Sequence, residues 1–454
     1  MKIKKYFFLI FLIGFFGCSS NDSQTSEEEI AEEEEVVEEI DNESVEDPIG
    51  NTPNILLVIS DDMGLDATPG YVIGDRKPNM PNLESLISNG ITFNNVWANP
   101  SCTPTRGTIL TGKYGFRTNV LKVNDQLATS ETSIQRYLDE NSNEDYTHAV
   151  IGKWHLSRDT NHPLTMGANY FAGLLTGGVQ DYENWSLIEN GITTTSTEYT
   201  TTKLTDLAID WVDNQTKPWF LWLAYNAPHT PFHAPPSNLH TQGSLPEDQA
   251  SINANSLPYY LAAMEAMDTE MGRLLASMSQ VERENTIIIF LGDNGTPNQV
   301  RQEYANRRVK GSVYQGGVNV PMVVSGALVE RANETEDALI NTTDIFATVA
   351  NIAGVNVSVI NDSYSFKNIL DINSEGARDY VYAEIGLDTG GSDYTIRNAT
   401  HKYILFGNGD EALYDLSNDA LEVTNLLAQD ELPLSNANIL EMEQLIQELE
   451  SIRN

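Results

Sequence analysis

Three short apolar runs, each leading into polar residues, are the feature that most constrains how this 454-residue chain can fold. They occupy residues 54–60, 219–224 and 286–291. Unbroken apolar runs of this length are typical of strands that are buried on both faces of a parallel sheet. Helical stretches at 204–212 and 259–278 lie between them, so the pattern predicts an α/β layered fold. The functional groups of such folds collect at the carboxyl ends of the strands.

Acidic and amide side chains follow two of these runs. Asp61 and Asp62 come directly after the first run, and Asp293 and Asn294 come after the last. Hard oxygen ligands of this kind suit calcium or magnesium better than zinc. Each pair taken alone is weak evidence, because Asp and Asn are also common turn formers and helix caps.

A cysteine opens the stretch at 102–112, which reads C-T-P-T-R-G-T-I-L-T-G. The chain has two cysteines, and the other is Cys18. A lone cysteine in a basic, polar turn is either a nucleophile or the precursor of one. Cys102 and Arg106, four residues later, are therefore candidate site residues.

This stretch resembles the activation motif of the sulfatase family, C-x-P-x-R followed by T-G. Residues 152–156 resemble its G-K-W-H-L pentapeptide, 228–231 its P-H-x-P segment, and 310–321 its K-G-x-x-x-E-G-G-x-R-V-P stretch. The resemblance runs from about residue 53 to about residue 427. It implies an alkaline-phosphatase-like α/β/α sandwich as a catalytic domain at 51–372. It also implies a smaller C-terminal subdomain at 373–454, containing an antiparallel sheet and a helix.

The resemblance assigns the site residue by residue. Cys102 is oxidised in that family to formylglycine, the aldehyde that does the chemistry. One divalent cation, calcium, is implied, with residue 102 completing its shell. The other implied metal ligands are Asp61, Asp62, Asp293 and Asn294, and the implied catalytic residues besides Cys102 are Arg106, Lys153, His155, His229 and Lys310.

The resemblance also implies a mechanism. The hydrated aldehyde at residue 102 attacks the sulfur of the substrate, and a covalent sulfate ester forms. His229 and Lys310 are expected to stabilise or protonate the departing oxygen. His155 then takes the proton of the remaining hydroxyl, which expels sulfate and regenerates the aldehyde.

Two positions depart from the family pattern. Gln315 and Asn319 stand where the family carries glutamate and arginine. We expect that they form a neutral hydrogen-bonded pair in place of an ion pair, which would leave no unpaired charge. An altered substrate pocket is the alternative.

The first residues resemble the leader of a bacterial lipoprotein. A positive segment and an apolar run precede Cys18, so 1–17 is expected to be a signal peptide that is removed, with Cys18 lipidated. An ordinary cleaved signal and an uncleaved anchor are the alternatives. The expectation is an exported bacterial lipoprotein of the outer membrane, held at the membrane by its lipid anchor.

The segment that follows Cys18 is strongly acidic. From Ser19 to Gly50 there are fourteen acidic residues and no basic ones. With no apolar periodicity, 18–50 is predicted to be an extended, disordered tether. The whole chain carries a formal net charge of −39, so a surface that binds nucleic acid is not expected.

These features together predict an exported sulfatase that acts on sulfated carbohydrate and depends on a formylglycine-generating maturation enzyme. A phosphonate or phosphate ester hydrolase on the same scaffold is one alternative, and a catalytically dead surface glycan-binding lipoprotein is another. The Thr-rich stretch at 193–202 is expected to be a loop, either lining the substrate cleft or on the surface. Tyr182, Trp185 and Tyr199 are candidate sugar-binding aromatics, with burial in the core as the favoured alternative.

Overall fold

A computed structural model describes residues 52–142, 146–372, 374 and 376–454. These residues all lie in one compact unit, Pro48–Asn454. The predictions for the signal peptide, the lipidated Cys18 and the acidic tether lie outside the described residues. Among the described helices, none combines the length and the apolar character needed to cross a membrane.

Strands and helices alternate along the chain, as the sequence pattern predicts. In chain order the strands are β1 (Asn54–Ser60), β2 (Gly90–Phe93), β3 (Val96–Trp97), β4 (Thr147–Lys153), β5 (Tyr170–Leu174), β6 (Trp185–Glu189), β7 (Ile192–Ser196), β8 (Trp219–Ala224), β9 (Thr286–Gly292), β10 (Met322–Gly326), β11 (Glu334–Glu336), β12 (Ile340–Asn341), β13 (Val359–Ile360), β14 (Ser363–Tyr364), β15 (Val381–Gly386), β16 (Ser392–Arg397), β17 (His401–Leu405) and β18 (Glu411–Asp415). The helices are α1 (Pro81–Ser88), α2 (Cys102–Thr111), α3 (Gly115–Thr118), α4 (Ile134–Asn141), α5 (His162–Thr165), α6 (Thr200–Val212), α7 (Gln249–Ala254), α8 (Leu257–Ser277), α9 (Gln280–Glu284), α10 (Gln315–Val318), α11 (Asp344–Ile352), α12 (Asn368–Asp371) and α13 (Asn436–Arg453), with a 3-10 turn at Leu65–Ala67.

Local sequence signals set several of these helix boundaries. The side chains of Ser133, Ser279 and Ser435 each precede a helix and accept a hydrogen bond from a backbone N–H of its first turn. Pro258 stands in the first turn of α8, where the missing N–H costs nothing. Gly112 ends α2 with a positive φ of 64°, the conformation that glycine adopts without strain.

The main sheet has the strand order β11-β2-β10-β9-β1-β8-β4-β5-β6-β7. Its centre, β9-β1-β8-β4-β5, is parallel throughout, and the three apolar runs are the neighbours β9, β1 and β8. β10 and the β6–β7 hairpin extend the sheet as antiparallel strands on its two sides. The carboxyl ends of the three central strands therefore meet at one edge.

Successive side chains of the central strands point to opposite faces of the sheet, and this divides the core into two layers. Ile55, Leu57 and Ile59 of β1 pack on one face, with residues of α2, α4 and α11. Leu56 and Val58 pack on the other face, with residues of α1, α6 and α8. The sheet is thus covered by helices on both faces, which confirms the predicted α/β/α sandwich.

The C-terminal part contains the predicted antiparallel sheet and helix. Its sheet has the order β15-β16-β17-β18. Leu445 and Leu449 of α13 are buried against one face of it, whereas Ile439 and Leu440 are exposed and lie outside the contact. The opposite face packs on Val313, three residues after Lys310.

The Thr-rich stretch is not a loop. Its first part forms β7, which pairs with β6 in an antiparallel hairpin, and its last part begins α6. Asn190 and Gly191 connect the two strands, and both have positive φ angles, 46° and 86°. An Asn-Gly pair with this geometry closes a tight two-residue hairpin.

Candidate active site

The carboxyl ends of β1 and β9 place four oxygen-bearing side chains side by side. Ser60 at the end of β1 is paired in register with Gly292 at the end of β9. Asp61 and Asp62 follow the first strand, and Asp293 and Asn294 follow the second. Asp62 has a positive φ of 69°, and its N–H donates to Oδ1 of Asp293 over 3.1 Å. The chain therefore folds all four residues towards one point.

Cys102 is the first residue of α2 and is buried. Its Sγ lies 3.4 Å from Nδ1 of His155, which follows β4. Burial raises the pKa of the Cys102 thiol, although Lys153 opposes this rise. Arg106 stands one helical turn later and therefore lies on the same side of α2 as Cys102.

Three ion pairs surround these residues, two of them fully buried and the third, that of Lys310, partly exposed. Each one joins a cation of the family-like motifs to one of the three carboxylates, and the carboxylate side chains are at most 1% exposed. The pairs are Arg106–Asp293 at 2.8 Å, Lys153–Asp61 at 2.6 Å and Lys310–Asp62 at 2.5 Å.

The carboxylates differ in their electrostatic surroundings. Burial alone would raise the pKa of Asp62, but Lys310, His229 and Lys153 outweigh it and hold that pKa well below its usual range. Burial, together with the neighbouring Asp61 carboxylate, raises the pKa of Asp293 to about 6 despite the Arg106 guanidinium. At Asp293 the protein cations thus do not fully balance the crowded negative charge.

A cation would fit between these carboxylates. Oδ1 of Asp61 and Oδ1 of Asn294 are buried and have no hydrogen-bond partner among the described residues. One ligand atom each of Asp61, Asp293 and Cys102 can be chosen so that all three lie within 4.8 Å of one another. Hard oxygen donors with unsatisfied lone pairs suit a hard divalent ion, and such an ion would also relieve the repulsion at Asp293.

Two histidines and Lys310 stand at the open side of the cluster. Nε2 of His155 lies 3.3 Å from Oδ1 of Asn124, and Nε2 of His229 lies 3.7 Å from Oδ2 of Asp62. Burial lowers the pKa of both imidazoles, and for His155 the cations Lys153 and Arg106 add to this effect. The Lys310 segment is held in place because the Gly311 N–H donates to the Pro100 carbonyl, two residues before Cys102.

A cavity of about 670 Å³ opens onto these groups. Cys102, His155, His229 and Lys310 line it. Its volume is within the range of roughly 300–1,000 Å³ that is typical of small-molecule sites. The rest of its wall comes from residues 174–186, the β6–β7 hairpin and the turn at 123–124.

The structure brings all ten predicted catalytic and metal-binding residues into this one cluster. Sequence reasoning missed Asn124, which touches His155, as well as the polar wall of the cavity. All three candidate aromatics are buried in the core, as the favoured alternative predicts, and Trp185 also lines the cavity. His233, which the motif match leaves unassigned, stacks on Tyr182 at 3.8 Å between ring centroids.

The predicted pairing of Gln315 with Asn319 is wrong. Oε1 of Gln315 accepts from Nε1 of Trp97 over 3.0 Å. The side chain of Asn319 instead accepts from the Val96 N–H and donates to the Asn94 carbonyl, each over 3.1 Å. Neither residue lines the cavity at Cys102, so their departure from the family pattern does not alter that pocket.

Comparison with known proteins agrees with this architecture. The fold, a sheet covered by helices on both faces with carboxylates and cations at one edge, is of the alkaline-phosphatase-like class. The crystal structure of Ps i-CgsB in complex with k-i-k-neocarrahexaose superposes with a TM-score of 0.74 at 24% identity, covering 88% of this chain and 92% of that one. The Sulfatase family model matches residues 53–355, more than half of the chain, and the chain therefore belongs to the sulfatase family.

Similar sequences carry the same family name. The uncharacterized sulfatase YdeN of Escherichia coli strain K12 is 27% identical, with 67% of this chain and 63% of the relative covered. Human N-acetylgalactosamine-6-sulfatase is 26% identical, with 67% and 62% covered. The chain thus spans less than two thirds of the length of these two relatives.

Proposed function

We propose that this protein hydrolyses sulfate esters and that its substrates are sulfated carbohydrates. The observation that carries this proposal is the meeting of Cys102, His155, His229 and Lys310 at the mouth of a buried cluster of cations and carboxylates. A tetrahedral anion needs cationic donors from several sides, and this edge of the sheet supplies them. The name of the human relative and the sugar bound to Ps i-CgsB support carbohydrate as the carrier of the sulfate.

We propose that the Cys102 thiol stands in the place of a formylglycine, produced by a maturation enzyme. Asp61, Asp62, Asp293 and Asn294 would hold the divalent ion, and their oxygen atoms favour calcium. When bound, this ion supplies positive charge that polarises oxygen atoms of the reacting groups.

The proposed roles of the protein side chains follow from their positions. Nδ1 of His155 faces residue 102 and is placed to take the proton whose loss expels sulfate. Lys310 and His229 line the cavity and are placed to stabilise the oxygen that leaves with the sugar. Arg106 donates to Asp293 and to the Lys153 carbonyl, so we assign it to holding the cluster together.

We also propose that the protein is exported as a lipoprotein and anchored at the outer membrane through Cys18. The apolar leader before Cys18 and the acidic segment after it support this proposal. Mass spectrometry of the N-terminal peptide from the native host tests it. A peptide that begins with acylated Cys18 is expected, and an unmodified Cys18 would contradict the anchor.

Turnover of matched esters tests the reaction. Protein matured in its native host is assayed with aryl sulfate, aryl phosphate and aryl phosphonate esters, with Cys102→Ala as the inactive control. Digestion and mass spectrometry of the peptide that holds residue 102 establish whether it is modified. We expect the aldehyde and a preference for the sulfate ester.

The other outcomes identify the alternatives. Faster turnover of the phosphate or phosphonate ester would show a phosphohydrolase on the same scaffold. An unmodified thiol in protein from the native host, without turnover of any ester, would show a catalytically dead protein.

A further inference from the structure

The cations around Cys102 all lie at the end of the cavity where the ester sulfate is expected to bind. Arg106, Lys153 and Lys310 each pair with a buried aspartate at 2.8 Å or less. Among the described residues, Lys310 is the only lysine or arginine that lines the cavity. A second anionic group of the substrate, bound further along the cavity, would therefore meet no other lysine or arginine among the described residues of the wall.

The remaining polar wall of the cavity is uncharged. Leu174, Val179 and Trp185 supply apolar surface there, and the Trp185 ring is held by its hydrogen bond to the Glu198 carbonyl. Amide and hydroxyl side chains supply the hydrogen-bonding groups. These are Asn124, Thr176, Gln180, Asn184, Ser186 and Thr195.

Two glycines bring this neutral wall close to the reacting groups. A Cβ atom on Gly177 would lie 2.7 Å from Cε1 of His155, and one on Gly178 would lie 3.0 Å from Nδ1 of His229. The segment that carries Gln180 and Asn184 therefore starts directly at the two imidazoles. A sugar ring bound in this cavity beside the reacting groups would lie against that segment.

We propose that this site selects a sugar unit that carries a single sulfate and is otherwise uncharged, and that Gln180 and Asn184 set this preference. The inference rests on the proposed sulfatase activity. Neutral amides both donate to and accept from sugar hydroxyls. A carboxylate or a second sulfate in the same place would lose water without gaining a counter-charge, and this cost discriminates against it. The net charge of −39 adds a general repulsion of multiply anionic ligands.

Matched pairs of sugars test the preference. Galactose monosulfates of each position are compared with the galactose disulfates that contain the same ester, and an aryl sulfate is assayed in parallel. We expect kcat/KM for the monosulfate to exceed that for its disulfate by about tenfold or more, since an uncompensated charge costs at least the equivalent of a lost hydrogen bond. Equal or faster turnover of the disulfates would overturn the inference. If neither the sugar sulfates nor the aryl sulfate were hydrolysed, the proposed function itself would be overturned.

Variants that introduce a positive charge test whether Gln180 and Asn184 set the preference for a singly sulfated sugar. Gln180 and Asn184 are exposed in the free protein, so Gln180→Arg and Asn184→Arg should leave the fold intact. Each variant is expected to raise the disulfate-to-monosulfate ratio of kcat/KM several-fold, because the introduced arginine can pair with the second anion. Thr193→Arg is the matched control, since Thr193 is exposed on the nearby strand β7 but does not line the cavity. An equal effect of Thr193→Arg, or no effect of the other two variants, would contradict the assignment.

Discussion

Oδ1 of Asn124 lies 3.3 Å from Nε2 of His155, on the opposite side of the imidazole from Cys102. Because an amide oxygen only accepts hydrogen bonds, this contact favours the tautomer in which Nε2 carries the proton. Nδ1, which faces residue 102, is then free to accept a proton. Asn124 therefore positions a proposed proton acceptor without taking part in the reaction itself.

Asn124→Ala should lower kcat for sulfate ester hydrolysis by about tenfold, a part of the 10²–10⁴-fold that a general base supplies. Asn124→Asp keeps the accepting oxygen and should retain more of kcat than the alanine variant. Asn124 and Asn333 both have a positive φ, so either alanine variant strains the backbone. Asn333→Ala is the control for this strain, because Asn333 is exposed and does not line the cavity. An unchanged kcat in Asn124→Ala would exclude the positioning role.

Chelation of divalent ions should lower both activity and thermal stability. The three carboxylates and Asn294 would lose the cation that the unpaired Oδ1 atoms of Asp61 and Asn294 suit. A ligand at a hundred times its Kd stabilises the native state by about 2.7 kcal/mol, so the Tm should fall measurably with EDTA and recover with calcium.

Asp61→Asn should abolish most of this calcium-dependent shift in Tm, whereas Asp430→Asn, at an exposed carboxylate, should preserve it. The shift is measured by differential scanning fluorimetry, and sulfate release is followed in the same samples. If EDTA changed neither Tm nor turnover, the assignment of a cation to this site would be wrong.

The sequence predicts the centre of this protein better than its periphery. The apolar runs identify β1, β8 and β9, and the motifs identify the residues that follow them, because both signals are local in the chain. The β6–β7 hairpin also has a local signal, Asn190-Gly191 followed by a run of β-branched threonines, which a reading as a loop overlooks.

The contacts that could not be predicted are long-range ones. Gln315 contacts Trp97, and Asn124 contacts His155. The two residues of each pair are far apart in the sequence, and no sequence periodicity predicts such a contact. The partner of each side chain depends on how the loops pack. A family pattern shows only that two residue types occur together in the sequence, and not that they are in contact. The hypothesis of a Gln315–Asn319 pair failed for this reason.

The glycine of the G-K-W-H-L motif, Gly152, is required for steric reasons. Its φ is 106°, and a Cβ atom there would lie 1.9 Å from the carbonyl oxygen of Ala224 on the neighbouring strand. Gly152→Ala should therefore destabilise the fold by about 4 kcal/mol, at the high end for single substitutions. Gly354→Ala is a matched control, because Gly354 has a φ of 85° but nothing within 4 Å of a Cβ atom.

The control should lose only about 1 kcal/mol, the cost of the left-handed conformation. Urea unfolding followed by tryptophan fluorescence measures both values. Equal losses in the two variants would show that backbone conformation, and not the contact with Ala224, requires the glycine.

Lys402 and Glu422 form a buried ion pair at 2.6 Å close to Gln315. Their side chains are 0% and 1% exposed. Lys402→Met leaves a buried carboxylate unpaired and should cost about 3–5 kcal/mol of the free energy of unfolding at pH 7. The double variant Lys402→Met/Glu422→Gln removes both charges, keeps an oxygen for the Gln315 N–H, and should lie close to the wild type. A double variant as unstable as the single one would contradict this account.

The same pair should make stability rise with pH on the alkaline side. Burial lowers the pKa of Lys402 from 10.5 to about 8, although Glu422 opposes this shift. Between these two pKa values the unfolded chain holds a proton that the folded chain has released, so the free energy of unfolding increases with pH by up to about 1.4 kcal/mol per unit. Urea unfolding at intervals across that window should show this slope in the wild type and not in Lys402→Met/Glu422→Gln. Because all other titrating groups are common to both proteins, parallel profiles would exclude a depressed pKa at Lys402.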